Sequence, residues 1–98
     1  MIRGFADRGT EDIFDGNNTP AARRTCPQSI LNAALRKLDQ IDSAVELRDL
    51  AIPPGNRLEG LCGDRDGQHS IRINDQYRVC FLWIGDGADE VEITDYHG

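Results

Sequence analysis

The apolar residues change their period once, at Pro53-Pro54-Gly55, and that switch limits the fold more than any other feature of the chain. Before it, Ile30, Leu31, Ala34, Leu35, Leu38 and Ile41 recur at three- and four-residue steps, which predicts an amphipathic helix over residues 27–42. After it, Tyr77, Val79, Phe81 and Trp83 alternate with Arg78, Cys80, Leu82 and Ile84, the two-residue period of a strand. A helical first half and a stranded second half predict an α+β domain in which N-terminal helices pack on one face of a mainly antiparallel sheet of four to five strands. The 98 residues leave room for one such domain, residues 1–98, and no second core.

Local signals fill in the order. Residues 2–5 read as a short first strand, 7–14 as a short helix with Ile13 and Phe14 as its apolar contact, and 15–20 as a loop of turn formers. Thr25 with Gln28 three residues on, and Pro27 between, reads as the start of the long helix; Ser43 with Glu46 reads as a second capping box, opening a helix to about Leu50. Strands follow at 57–61, 70–74, Tyr77–Ile84 and 90–95, separated by the turns 63–67, 74–76 and 85–87.

Composition removes several function classes. The net charge of −6 argues against simple nucleic-acid binding. The acidity is uneven, however: residues 85–98 hold five acids and no base, whereas the stretch 57–84 balances four arginines against four acids. Cys26, Cys62 and Cys80 form no CxxC pair and are odd in number, so reduced thiols are expected and no disulfide framework. With His69 and His97 they show no metal-ligand spacing, and no metal or other cofactor is expected. Residues 1–5 do not read as a signal peptide, and the longest apolar run, 79–84, is far below the roughly 20 residues that span a bilayer. A soluble, cytoplasmic protein is expected.

PPGNRLEGL, then GDRDGQHSIRINDQYRVCFLW, then EVEITDYHG resemble the HigB-type toxins of bacterial type II toxin–antitoxin systems, in the RelE/ParE superfamily, also labelled plasmid maintenance system killer proteins. The likeness runs over nearly the whole chain, with LRKLDQIDSA matching in the helical half. It implies a RelE-like two-layer fold, cleavage of mRNA on the translating ribosome, and inhibition by a helix-turn-helix antitoxin (HigA-type) in a toxin–antitoxin hetero-oligomer.

Metal-free RNA cleavage turns the neighbouring 2′-hydroxyl on the phosphorus. It needs a proton acceptor, a proton donor and a cation at the phosphorane. Arg78 is the expected cation, although a mid-strand arginine can equally be a surface residue paired with an acid of the next strand. The resemblance carries catalytic roles onto Asp95, Tyr96 and His97; without it, a terminal Asp-Tyr-His reads as a frayed tail. Tyr96 needs a nearby cation to act as a base, or else stacks on an unpaired nucleobase, while His97 titrates near neutrality. Relatives carry a histidine at the position of Glu59 and a lysine at that of Cys62, so Glu59 is expected to replace the histidine as a general base, and Cys62 removes a phosphate contact. Arg57, Arg65 and Arg72 are candidate phosphate contacts or solvated surface residues, and His69 is a structural or base-stacking candidate. Two other readings stay open: a catalytically weak RelE-fold protein that binds its antitoxin, and a ParE-like gyrase poison.

Overall fold

The computed structural model describes residues 1–95. Its helical half contains α1 (Arg8–Asp15), α2 (Pro20–Thr25) and α3 (Leu31–Ser43), with 3-10 turns at Gln28–Ile30 and Leu47–Ala51. The second half contains β1 (Glu59–Gly60), β2 (Gln68–Arg72), β3 (Tyr77–Ile84) and β4 (Gly87–Asp95), with a 3-10 turn at Gly63–Arg65. The strands form one antiparallel meander in the order β1-β2-β3-β4. Helices α1 and α3 pack on β3 and β4, so one face of the sheet is covered, as expected. Among the described residues no helix is long and apolar enough to cross a membrane.

The core follows the two periods. Ala34, Leu38 and Ile41 of α3 meet Ile71, Val79, Phe81, Val91 and Ile93 of the sheet, all buried. Each fully buried aliphatic or aromatic side chain of this kind contributes roughly 1.5–3 kcal/mol relative to exposure, so this two-layer contact dominates the stability of the domain.

Six local expectations need correction. Residues 2–5 do not form a regular strand; they run beside β4 and make isolated parallel bridges, Ile2 to Ala88 and Phe5 to Val91. Arg3 N–H donates to the Ala88 carbonyl at 2.7 Å, and Val91 N–H to that of Gly4 at 3.1 Å. Beyond them the Ile93 N–H donates to the Thr10 hydroxyl of α1 at 3.0 Å. The outer edge of β4 is thereby sealed against pairing with another chain. Secondly, Thr25 does not open the long helix. It ends α2, where its hydroxyl donates to the Ala21 carbonyl; α2 itself is capped by Thr19 with Pro20 at the first helical position, while α3 starts at Leu31 without a side-chain cap. The Thr19 hydroxyl accepts from Ala22 N–H and donates to the buried Asp12 carboxylate at 2.6 Å, tying α2 to α1. That bond, and then Arg8, hold the Asp12 carboxyl below the usual range against the opposing effect of desolvation. Thirdly, the capping box of the 47–51 turn is Glu46 with Asp49, not Ser43 with Glu46.

The fourth correction concerns β4, which begins at Gly87, three residues before the alternation becomes visible. Cys80 pairs with Glu92 but Leu82 with Asp89, so one extra residue of β4 bulges opposite Phe81, and Glu90 adopts φ 52°. The bulge lets Ala88 and Val91, three residues apart, both turn into the core. Strand β2 also sits two residues earlier than expected, and β1 is reduced to two residues.

One buried side chain joins the two halves. Asn56 is wholly buried; its amide nitrogen donates to Gln40 at 2.8 Å and to the Leu50 carbonyl at 3.0 Å, and its amide oxygen accepts from Lys37. Asn56→Ala strands a buried carbonyl and a lysine, and should lower stability by about 2–3 kcal/mol. Urea unfolding should show a lower midpoint at an unchanged slope.

Candidate active site on the open face of the sheet

Strand register decides which side chains share the face turned away from the helices. Glu59, Ser70, Cys80 and Glu92 stand opposite one another across β1 to β4 and form one row. Arg72, Arg78 and Thr94 form the next. Arg78 is closely held on this face, with only 11% of its side chain exposed. Its Nε donates to the Ser70 hydroxyl at 2.8 Å, and Nη2 donates to the Arg57 carbonyl at 2.7 Å. The Glu59 carboxylate lies 3.9 Å from Nη2. Arg57 supplies its carbonyl from a left-handed backbone, φ 47°, which costs a non-glycine residue about 1–2 kcal/mol. The Arg57 side chain itself is exposed. A guanidinium fixed on two sides is oriented before any substrate arrives, and a carboxylate sits beside it.

The remaining arginines on this face have acidic partners. Arg65, at the end of the 63–65 turn, donates through Nη1 to Gln68 and to Glu92, both at 3.0 Å. Arg72 pairs with Asp75. Beneath them Cys80 is wholly buried; burial pushes its thiol up, Arg65 and Arg78 pull the other way, and Glu92 adds to the rise. Cys26 and Cys62 are free thiols too, as expected.

Two candidates are not brought into this group. His69 pairs in register with Phe81 and stacks on it, ring centroids 6.4 Å apart, on the helix-covered face; its Nδ1 is buried without a hydrogen-bond partner. It belongs to the core layer and not to an RNA-stacking surface beside Arg78. Asp95 pairs in register with Tyr77, so its side chain leaves β4 on the face of Val79 and Ile93, opposite to that of Arg78, and it accepts from Gln76 at 3.0 Å. Asp95 is therefore placed to hold the 74–76 turn. Tyr96 and His97 lie outside the described residues. Ser70, Gln68 and Glu92 join the group unannounced. Their strand parity with Arg72 and Arg78 is the only trace in the sequence, and register across strands is not written there.

No group of three or more His, Cys, Asp or Glu among the described residues is arranged to hold a metal ion. A cleft of about 230 Å³ lies elsewhere, between the helices, and is lined by Ile13, Ala22, Cys26, Leu31 and Leu35. Its only titratable group is the buried Cys26 thiol.

Residues 3–97 match the family model for the RelE-like toxin of the type II toxin–antitoxin system HigB. The chain belongs to this toxin family. It is 44% identical over 96 residues to Toxin HigB-1 of Vibrio cholerae, covering 98% of this chain and 94% of that protein. It is 30% identical over 101 residues to Endoribonuclease HigB of Proteus vulgaris, covering 99% and 100%. The YoeB–YefM complex from Staphylococcus aureus contains a chain of the same fold, with a TM-score of 0.60 at 14% identity, covering 100% of this toxin and 99% of that chain. A YoeB dimer from the same organism gives 0.58 at 15% identity, covering 99% and 98%.

The burial of two of the three thiols makes a simple prediction. In the native toxin a thiol reagent should modify Cys62 quickly and leave Cys26 and Cys80 protected, because only Cys62 is exposed. All three should react in denaturant, with the modified positions identified by mass spectrometry.

Proposed function

We propose that this toxin is an endoribonuclease that cuts mRNA by metal-independent attack of the 2′-hydroxyl on the adjacent phosphorus. The observation that carries the reading is Arg78, pre-oriented on the open face by Ser70 and the Arg57 carbonyl. In this reading the guanidinium grips the scissile phosphate and balances the charge that builds on the phosphorane. Glu59, 3.9 Å from Arg78, takes the proton of the 2′-hydroxyl where relatives use a histidine. Tyr96 and His97 are proposed as the partners that stack on the base and protonate the leaving 5′-oxygen; that assignment rests on the terminal Asp-Tyr-His motif alone. Arg72 is proposed as a flanking phosphate contact once the nucleic acid displaces Asp75.

The proposal includes the setting: the message is cut on the ribosome in the cytoplasm, and a HigA-type helix-turn-helix antitoxin restrains the enzyme in a hetero-oligomer. A second reading has one observation in its favour. Arg65, Arg72 and Arg78 each have a carboxylate partner within 4.0 Å, which weakens phosphate attraction and suits a poor nuclease whose main act is binding its antitoxin.

Inducible expression in a bacterial host with mapping of RNA 5′ ends tests the proposal. The wild-type toxin should stop growth and create new ends inside coding regions. Arg78→Ala should reduce cutting by about a hundredfold or more, and Arg78→Lys should recover only a small part, because an ammonium cannot make the paired contacts of a guanidinium. Growth arrest with intact messages and trapped gyrase would overturn the reading in favour of a gyrase poison, and no arrest would favour the antitoxin-binding protein.

A further inference from the structure

The open face has two unlike halves. Around Arg78 two guanidiniums face each other in register, Arg72 opposite Arg78, and their carboxylates are loosely placed: Glu59 lies 3.9 Å from Arg78, and 98% of the Asp75 side chain is in solvent. Around Arg65 it is neutral, because Arg65 and Glu92 pair at 3.0 Å with about 30% of each side chain exposed. A carboxylate on an RNA-facing surface repels the phosphate backbone, so this half is poorly made for phosphate. It is well made for the edge of a base.

The hydrogen bonds fix what it offers. Arg65 has only donors, so Gln68 must turn its amide oxygen to Arg65, which leaves the amide nitrogen to donate elsewhere. Among the described residues that nitrogen makes no hydrogen bond, and neither does the second oxygen of Glu92. A donor and an ionised acceptor therefore stand side by side, held by one guanidinium. Leu82, opposite Gln68 in register and half-buried, supplies an apolar contact beside them. Glu92 is the diagonal neighbour of Arg78 across β3 and β4, about 7–8 Å away between backbones, within reach of a nucleotide next to the gripped phosphate.

We infer that Glu92 and Gln68, held by Arg65, form a reading site for an unpaired guanine next to the cleaved phosphate. Guanine alone presents two adjacent N–H donors, N1 and N2, on its Watson–Crick edge, which the Glu92 carboxylate accepts, and an O6 acceptor, which the Gln68 amide serves. Adenine turns the lone pair of N1 towards the carboxylate and is repelled. Uracil offers one N–H and cytosine only its exocyclic amine. The inference rests on the proposed RNA-cleaving function, and it assigns Arg65 to positioning and not to phosphate.

The test is binding, so it does not depend on catalysis. Short 2′-O-methyl RNAs, which cannot be cleaved, are titrated against the whole toxin by fluorescence anisotropy, with one central base set to guanine, inosine or adenine. Guanine should bind about tenfold tighter than adenine, and inosine, which lacks the 2-amino group, should lie between. Glu92→Gln should bring the guanine-to-adenine ratio to within about twofold. Glu46→Gln, the same charge change at an exposed site paired with Arg48, should leave the ratio alone. Equal binding of the three RNAs, no binding of any, or a guanine preference that survives Glu92→Gln overturns the inference. A wild-type toxin that prefers guanine yet creates no new RNA ends in cells would overturn the nuclease reading alone.

Discussion

The site depends on how one guanidinium is held. Arg78 lies mid-strand, nearly covered, with Nε on the Ser70 hydroxyl and Nη2 on the Arg57 carbonyl. Both partners are placed by the fold. Ser70 is buried in the row that crosses all four strands, and Arg57 follows Asn56, which the helical layer grips through Gln40, Leu50 and Lys37. The Asn56 carbonyl also accepts from Arg72 N–H at 2.6 Å. A continuous path of hydrogen bonds and the Asn56–Arg57 backbone therefore runs from α3 to Arg78. It explains why a left-handed arginine backbone is retained at Arg57: the strained turn aims a carbonyl at the guanidinium.

Local charge balance reconciles a net charge of −6 with a sheet face that carries several arginines. Much of the acidity lies in residues 85–98, while the sheet face sets arginines against Glu59, Asp75 and Glu92. These carboxylates keep the cations ordered without substrate. Asp75 is the partner most open to displacement, with 98% of its side chain in solvent at the exposed edge. The Arg65–Glu92 pair is more enclosed and costs more to separate, which favours its use as a unit.

Much of the fold was legible. The period of Ile30 to Ile41 gave α3, although its first turn is 3-10, and the alternation of Tyr77 to Ile84 gave β3 to the residue. Turn chemistry gave the meander. Helix α2 was hidden because Thr19-Pro20 sat inside a run of loop formers, while Thr25 and Gln28 imitated a cap. The front of β4 was hidden because its bulge spaces Ala88 and Val91 by three. In the candidate site, Arg78 was expected from its residue type and strand position and Glu59 from the resemblance, and the structure sets the two 3.9 Å apart. Register alone separates Asp95 and His69 from Arg78 and brings in Ser70, Gln68 and Glu92, and a single strand carries no information on its partner's offset.

The central claim, that Arg78 takes hold of an RNA phosphate, predicts a change in salt dependence. For non-cleavable RNA, the slope of log affinity against log salt concentration should become shallower by about 0.7 when Arg78 is replaced by alanine, the signature of one lost phosphate contact on a single strand. His69→Ala, on the opposite face, should leave the slope unchanged. An Arg78→Ala toxin that keeps the wild-type slope would contradict the account.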